Sequence, residues 1–343
     1  MSIVDISTGP GLELAARPAG PRARRSVAVA RRVGAGLAVL IPIVAISSFI
    51  IYSLGAISGN NPAATILGQT GNATPAAIAR LDRALGLDQP LVVQWLHWLF
   101  RAVQGDFGRS YFTQIPVAQS IAQRFPVDLS IVGLAALIAI VAGGAAGILA
   151  ATRRGGIIDQ AVTFVCSVLS TLPAFVVGIA LVVIFAMGAR LLPGNGYVSP
   201  NASVPEWLEH IILPSLALSA QVAVDIARQL RTSLVAVLDE NYVVGATVRG
   251  LPRRRVLTRH ALRNALGPAI TVLGYDVPLL ITGAVAAEAV FSLPGLGQLV
   301  LQSAQTRDIP VVQGVLLVTS TLVIVSNLVV NEVLRWLRPG DDR

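Results

Sequence analysis

The chain contains no lysine: all 26 of its basic residues, among 343 in total, are arginines. A P-loop ATPase needs the lysine of its GxxxxGK[ST] motif to hold the terminal phosphates of the nucleotide. We therefore predict no ATPase site in this chain, and we expect any ATP hydrolysis coupled to it to occur on a partner subunit.

Cysteine and histidine are also scarce. The single cysteine, Cys166, cannot form an intrachain disulfide. The three histidines (His97, His210 and His260) are far apart in sequence and have no acidic or thiol neighbours at the spacing of metal ligands. The motifs GxSxG and HExxH are absent as well. The sequence predicts no metal site, no cofactor, no catalytic residues and no enzyme activity.

Charge is the third scarcity. Only 13% of the residues are charged and 54% are hydrophobic, and the mean hydropathy is +0.71. Soluble domains carry about 25% charged residues. A net charge of +8 would suit nucleic-acid binding only on a soluble basic surface. Because the arginines here separate apolar runs, we predict a membrane protein with no nucleic-acid partner.

Six apolar stretches are long enough to cross a bilayer as helices, which takes about 20 residues. Four of them contain no charged residue, and the other two contain one acid each, Asp225 and Asp276. We predict an all-α polytopic membrane protein with six transmembrane helices. Their predicted bounds are 33–54, 129–152, 160–189, 211–227, 266–287 and 309–331.

Six spans place both termini on the same side of the membrane. With the N-terminus inside, the inner segments hold 19 of the 26 arginines, so the positive-inside rule predicts cytoplasmic termini. The segments between spans then follow. They are a basic cytoplasmic tail (1–32), an external helical segment (55–126), a cytoplasmic loop (228–265), an external loop (288–308) and a cytoplasmic tail (332–343).

The external segment contains two predicted helices. Thr74 is a suitable N-cap, Pro75 suits the first helical position, and Gly86 suits the end of the first helix. The second helix has an apolar face that we expect to pack on the membrane interface or on the protein itself. That face consists of Leu91, Trp95, Trp98, Leu99 and Ala102.

The cytoplasmic loop has signals of ordered structure. A short helix is predicted from Asn241, with Gly250 as its C-cap in the left-handed region. Pro252 then opens a second helix, which carries a stripe of arginines at 255, 259 and 263. Two helices that meet at a glycine form a projection that a partner protein could hold and move. The simpler alternative is a topology signal attracted to anionic lipid.

The stretch "GLPRRRVLTRHALRN" (250–264) resembles the EAA loop of importer-type ABC permeases, whose coupling helix docks on the ATPase subunit. Gly250 matches the glycine of that motif and Leu262 its late leucine. Val244, Gly245 and Ala246 occupy the E-A-A positions, so the acidic residue is missing. His260 and Arg263 stand in place of the isoleucine and the proline.

This version of the loop is similar to that of the B-type permease of the dipeptide/oligopeptide importer family. The similarity extends over nearly the whole chain from Arg31. It includes "GDFGRSY" (105–111), "RRGGIIDQ" (153–160), "EAVFSLPGLGQLV" (288–300) and "RDIPVVQG" (307–314). One departure is "GNNP" (59–62), where the family has a PGDP-like turn.

The resemblance implies a permease subunit of an ABC importer in the bacterial inner membrane. Its implied partners are a homologous second permease, ATP-binding-cassette ATPase subunits, an external substrate-binding protein and membrane lipid. Short peptides are the implied cargo, with haem or a nickel chelate as alternatives. The implied ATPase-coupling residues are Val244, Gly245, Ala246, Arg249, Gly250, Leu251, Arg253, Arg254, Arg255, His260 and Leu262.

Acidic residues in or near apolar spans are candidates for the translocation route, because charge in a membrane is expensive to keep. Asp276 is the deepest, and it could meet the amino group of a substrate. Glu288 could line the route or order the adjacent external loop, and Asp225 could pair with Arg228. Ser170 is the remaining candidate. A carrier driven by an ion gradient is a distant alternative, because we find no internal repeat.

Overall fold

The computed structural model describes residues 41–55, 61–69 and 73–337, together with Gly34, Ala38 and Gly71. The chain divides into two units, Met1–Val39 and Leu40–Arg343, and all described residues except Gly34 and Ala38 belong to the second. The predicted N-terminal tail (1–32) and residues 338–343 of the predicted C-terminal tail lie outside the described residues.

The described residues form helices joined by short connections, apart from an isolated bridge between Arg109 and Pro116. The all-α prediction is therefore confirmed for this part of the chain. The helices are α1 (Ile41–Gly55), α2 (Pro62–Gln69), α3 (Pro75–Leu85), α4 (Leu91–Val103), α5 (Val117–Thr152), α6 (Ile157–Thr171), α7 (Ala174–Gly188), α8 (Val204–Leu238), α9 (Asn241–Val248), α10 (Arg253–Phe291), α11 (Leu296–Thr306) and α12 (Ile309–Leu337).

Four helices are long and apolar enough to cross a bilayer. They are α5, α8, α10 and the stretch Ile309–Val330 of α12. Helices α6 and α7 together form a fifth candidate, although their axes are bent by 107°. The described part of the first predicted span, α1, is shorter than a full crossing. The six-span count stays a prediction.

The bend between α6 and α7 interrupts the stretch predicted as the third span, 160–189. Leu172 has φ −97° and ψ 121°, which is extended backbone. Pro173 follows, and a proline disfavours helical backbone at the residue before it and has no N–H to donate. Helix α6 therefore ends at Thr171 and a new helix begins at Ala174.

Helix α8 forms the centre of the bundle. Its apolar window is 61% buried, whereas those of α5, α10 and α12 are 22–28% buried and turn most of their apolar surface outward. It extends beyond the predicted span 211–227 at both ends, and its start is capped by the Ser203 hydroxyl, which accepts a hydrogen bond from Glu206 N. Pro205 lies within its first turn, where a proline is tolerated.

Helix α5 approaches α8 as closely as two backbones allow. A Cβ added at Gly143 would lie 2.5 Å from the carbonyl oxygen of Ala223, and one added at Gly147 would lie 2.8 Å from that of Ala227. Small residues four apart on both helices permit this contact, as in membrane helix pairs generally. Helix α5 also contains a π-helical turn, Ala139–Gly143, that ends at the first of these glycines.

Helices α3 and α4 confirm the local structure predicted for residues 74–103, in the segment predicted to be external. The Thr74 hydroxyl accepts a hydrogen bond from Ala77 N, and Gly86 has φ 71° at the end of α3. The predicted apolar face of α4 packs on the protein. The indole of Trp95 donates to Ser48 of α1 at 3.0 Å, and Ala102 is buried.

At the end of the bundle that carries Phe291, backbone N–H groups donate to buried carboxylates. Leu296 N donates to Asp128 Oδ2 at 2.9 Å, and the N–H groups of Gly297 and Gln298 donate to Glu288 at 3.3 and 2.8 Å. These bonds hold the first turn of α11, where carboxylates satisfy otherwise unpaired N–H groups. The start of α11 is thereby attached to both α5 and α10.

Candidate functional site

The basic loop folds as a helix, a glycine turn and a second helix, which confirms its predicted local structure. Helix α9 is followed by Gly250 with φ 82°, in the left-handed region that favours glycine. The N–H groups of Gly250 and Leu251 donate back to the carbonyls of Thr247 and Ala246, at 2.9 and 3.3 Å. Pro252 directly precedes the first residue of α10.

One side of α9 is buried against the ends of its neighbours. Val243 and Ala246 form a small apolar cluster with Val256 of α10. Val237 and Leu238, at the end of α8, pack against the same cluster. The projection therefore rests on the ends of two long helices, and it has a core of its own.

Three polar contacts lie in and around the projection. The Asn264 amide donates to the Tyr242 hydroxyl at 2.7 Å, which joins α10 to α9. The Arg253 guanidinium donates to the carbonyl of Thr152 at the end of α5, at 2.9 Å. Arg154, just beyond α5, forms an ion pair of 3.0 Å with Asp239, just beyond α8. These contacts lie where the projection meets the ends of α5 and α8.

The predicted coupling residues divide into two groups by exposure. Six of them are exposed: Val244, Arg249, Gly250, Arg253, Arg254 and Arg255. The others are buried or half-buried and lie beneath that exposed surface: Gly245, Ala246, Leu251, His260 and Leu262. Ala246 in particular is enclosed in the cluster with Val243 and Val256.

Two exposed side chains of α9 have no counterpart in the sequence predictions. Val248 is 82% exposed, and it lies one helical turn after Val244. Tyr242 is also exposed. The signal for Val248 was present in the sequence, because residues four apart share a helix face. The exposed surface formed by Val244, Val248, Arg249, Arg253 and Arg254 is called the projection surface below.

Asp276, the deepest of the predicted route residues, lies on α10 with a buried carboxylate oxygen. No described residue lies within hydrogen-bond distance of its Oδ2. Asp225 of α8 is near enough to interact with it electrostatically. The expected pairing of Asp225 with Arg228 is wrong: Asp225 accepts a 3.1 Å hydrogen bond from Gln221 instead, and Arg228 contacts the Ser167 hydroxyl at 3.5 Å.

The three predicted route residues do not converge on one point. Glu288 lies on the same helix as Asp276 but twelve residues later, which is about 18 Å along the axis. Its carboxylate is fully buried and accepts the two N–H groups of α11 described above. The Ser170 hydroxyl donates to the carbonyl of Cys166 within α6 at 2.8 Å.

An ion pair between α6 and α8 has no counterpart in the sequence predictions. Both Nε and Nη2 of Arg231 donate to the buried carboxylate of Asp159, at 2.5 and 2.7 Å. The N–H of Gly155 donates to the same carboxylate at 2.9 Å. The two residues are 72 positions apart, so no local pattern indicates that they meet.

A buried contact joins the stretches 105–111 and 307–314 at the far end. The Ser110 hydroxyl and the Tyr111 N–H both donate to the carboxylate of Asp308. Burial raises the pKa of Asp308 above its usual range despite these hydrogen bonds. Asp106, four residues before Ser110, shows the opposite shift, because hydrogen bonds from Arg101 and Gly108 lower its pKa.

Two family models match most of the chain. Residues 143–340 match the binding-protein-dependent transport system inner membrane component. Residues 27–132 match the N-terminal part of the same type of transport-system membrane component.

Three curated proteins are similar to the chain over nearly their full length. A probable peptide ABC transporter permease of Sinorhizobium fredii is 38% identical over 85% of this chain and 92% of its own. A putative peptide transport system permease of Brucella suis is 37% identical over 88% and 95%. The glutathione transport system permease of Escherichia coli K12 is 38% identical over 88% and 95%.

The fold is similar to that of a solved transporter chain. An inward-facing structure of the MetNI methionine ABC transporter matches with a TM-score of 0.52. The match covers 64% of this chain and 96% of that chain at 15% sequence identity. Similarity at this level of identity concerns the fold alone.

Proposed function

The chain belongs to the family of binding-protein-dependent transport system inner membrane components, as an ABC importer permease of the peptide type, and we propose that it forms half of a translocation route for short peptides. The proposed second half is a homologous permease. The proposed cargo follows from relatives named as peptide and glutathione permeases.

The observation that carries the proposed mechanism is the ordered projection formed by α9, Gly250 and the start of α10. A basic segment that served only as a topology signal would need no core, whereas this one packs Val243, Ala246 and Val256 together. The same segment leaves apolar and basic side chains uncovered on its outer surface. A docking element requires a packed core beneath an exposed surface, and this surface is both apolar and basic.

We propose that ATPase subunits bind the projection surface. Val244 and Val248 would enter an apolar groove, and Arg249 and Arg253 would meet carboxylates at its rim. When the ATPases close on ATP, the projection moves with them. The contacts of Arg253 with Thr152 and of Asn264 with Tyr242 then transmit that movement to α5 and α10.

Asp276 is the proposed route residue that meets the cargo. Oδ2 of Asp276 lies in an apolar span and has no hydrogen-bond partner among the described residues. Such an oxygen attracts a cation that passes through the bundle. The amino terminus of a short peptide is such a cation at neutral pH. Asp225 lies nearby on α8 and adds negative charge to the same region.

The proposed setting is the inner membrane, which the chain crosses several times. The proposed orientation places the basic loop and both termini in the cytoplasm, because most arginines then lie inside. An external binding protein would deliver the peptide at the opposite end. ATP hydrolysis would take place on the ATPase partners, since this chain has no lysine for a P-loop.

Affinity purification of the tagged chain from its own membranes, followed by peptide uptake in vesicles, tests this proposal. We expect a second permease and Walker-A ATPases to purify with it, and uptake of dipeptides to require ATP and the binding protein. A chain that purified alone and moved solute without ATP would contradict the proposal and favour a gradient-driven carrier.

A further inference from the structure

Two adjoining cavities lie away from the projection, between α1–α4 and the start of α12. The smaller has a volume of about 290 Å³ and the larger about 550 Å³. Tyr52, Leu87, Gln94 and Tyr111 line both, so the two cavities are neighbours. No described residue of α10, the helix of Asp276, lines either cavity. They are therefore separate from the proposed peptide route.

Each cavity is lined by a residue that has a buried acceptor oxygen without a donor among the described residues. In the smaller cavity, Asp82 Oδ2 accepts a 2.8 Å hydrogen bond from the Asn61 amide, while no described residue donates to Oδ1. In the larger, the Gln313 amide nitrogen donates to the carbonyl of Ser48 at 3.1 Å, and its Oε1 has no donor among the described residues. Gln313 is only 1% exposed.

Buried acceptors without donors are rare, because each costs free energy unless a donor reaches it. One hydrogen bond fixes the direction of each side chain, through Oδ2 of Asp82 and through the amide nitrogen of Gln313. Oδ1 of Asp82 and Oε1 of Gln313 are left without a donor among the described residues. The ligand that completes them must therefore bring N–H or O–H donors. For Asp82 the ligand should also bring positive charge.

Aromatic rings add a second preference for a cation. Tyr52, Tyr111 and Phe112 line the smaller cavity together with Asp82. Aromatic faces attract ammonium groups, most strongly where water is excluded. The hydroxyl of Tyr111 is neutral near pH 7 and can accept a hydrogen bond from such a group; burial raises its pKa further.

We propose that the smaller cavity is a binding site for a small organic ammonium ion, with Asp82 as its carboxylate partner. A bare divalent metal fits less well, because Ca²⁺ takes six to eight oxygen ligands, and aromatic and apolar side chains occupy much of this lining. Arg307 also lines the cavity. A ligand with a carboxylate close to its ammonium group would therefore meet a cation as well.

Calorimetric titration of the purified transporter complex, without ATP, tests the site with three probes: ethylammonium, glycylglycine and acetate. We expect saturable binding of ethylammonium and of glycylglycine, and none of acetate. Asp82→Asn should weaken ethylammonium binding at least tenfold. Asp88→Asn is the matched control, because it removes the same charge from an exposed position that does not line the cavity, and it should leave binding unchanged.

Thr306→Lys provides a second variant in case Asp82→Asn fails to assemble. Thr306 is exposed and lines the cavity, so a lysine there places a like charge beside the bound cation without disturbing the core. We expect at least threefold weaker ethylammonium binding, whereas Thr306→Gln should leave it unchanged. Equal binding by Thr306→Lys and Thr306→Gln would overturn the proposal, as would unchanged binding in a folded Asp82→Asn complex.

The proposed peptide route is tested separately by the same titration. Binding of ethylammonium that persists in Asp276→Asn and is lost in Asp82→Asn assigns it to this cavity. Binding lost in Asp276→Asn and retained in Asp82→Asn would assign it to the route and overturn the cavity site. If sodium chloride displaced ethylammonium as effectively as a second organic ammonium salt does, the cavity would attract cations in general. That result would also overturn the proposal.

Discussion

Arg231 and Asp159 are joined by two hydrogen bonds, of 2.5 and 2.7 Å, between α8 and the first turn of α6. The carboxylate is almost fully buried and the guanidinium is about one-third exposed, with side-chain exposures of 6% and 35%. Paired, bidentate geometry of this kind is the form in which a buried carboxylate is stable. The contact holds α6, the first half of the broken helix pair, against the central helix of the bundle.

Replacing Arg231 with alanine is expected to destabilise the protein by about 1–3 kcal/mol, because Asp159 would keep only the hydrogen bond from Gly155. Arg154→Ala is the matched control. Its ion pair with Asp239 is exposed on both sides, at 62% and 68%, so the loss should be about 0–1 kcal/mol. Thermal unfolding of both variants in detergent measures the difference. Equal losses would contradict the structural role of the Arg231–Asp159 pair.

Gly143→Ala is expected to destabilise the contact between α5 and α8 by about 1–3 kcal/mol, since the new Cβ would meet the carbonyl oxygen of Ala223 at 2.5 Å. Gly144→Ala, one residue later, is the control, because nothing lies within 4 Å of its added Cβ. That substitution should be neutral, or stabilising by about 0.5–1 kcal/mol through helix propensity. Comparison of unfolding midpoints tests the prediction, and loss of stability in both variants would refute it.

Gly250→Val is expected to leave insertion intact and to abolish peptide uptake while ATP hydrolysis continues. At φ 82° a side chain costs about 1–2 kcal/mol, so the turn between α9 and α10 would change shape. Gly133→Ala, in α5 and outside the projection, is the control. Gly133 is helical, with no atom within 4 Å of an added Cβ, and uptake should persist. Normal uptake by Gly250→Val would show that the turn geometry is not needed for coupling.

Asp276→Asn is expected to lower the uptake of dipeptides with a free amino terminus by about tenfold, which corresponds to about 1.4 kcal/mol. An N-acetylated dipeptide is the control cargo, because it has no ammonium group to meet Asp276. The ratio of the two uptake rates in wild type and variant measures the effect. Equal loss for both cargoes would assign Asp276 a structural role.

Asp308 should make the stability of the protein depend on pH. Burial raises its folded-state pKa above the ordinary value of 3.8, so the folded state favours the protonated form. Its stabilising contribution is then complete below the unfolded pKa and decreases as the pH rises through the folded pKa. Relative to Asp308→Asn, wild type should lose stability as the pH rises above about 4. Denaturant unfolding across that range tests the sign.

Asp106 should show the opposite dependence, because the Arg101 hydrogen bond lowers its pKa. Its contribution is present above the unfolded pKa and is lost as the pH falls through the folded one. Asp106→Asn should therefore approach wild-type stability at acidic pH. A wild-type advantage that grew on acidification would contradict this assignment.

Features that depend on a few neighbouring residues were predictable from the sequence. Thr74 and Gly86 bound α3 as expected, and Gly250 adopts the left-handed conformation between two helices. These outcomes depend on side-chain capping and on the steric freedom of glycine, both of which act within one or two turns. The all-α class follows in the same way, from long apolar stretches that must satisfy their own backbone in lipid.

The roles of the acidic residues were not predictable in this way. For Glu288 the sequence left two roles open, lining the route or ordering the adjacent loop, and its carboxylate accepts hydrogen bonds from two N–H groups of α11 in that loop. Asp225 was expected to pair with Arg228, but Gln221 donates to it instead. Each acid had several possible donors at similar sequence distance, and the packing of the helices selected among them.

The helical class, the positions of the main apolar stretches and the turn at Gly250 follow from sequence patterns alone. The contacts of Arg231 with Asp159, of Ser110 with Asp308 and of Gly143 with Ala223 become visible only in the folded chain. The difference lies in the range over which the forces act. Capping and backbone sterics act within a few residues, whereas a buried ion pair or a helix crossing depends on how distant segments pack together.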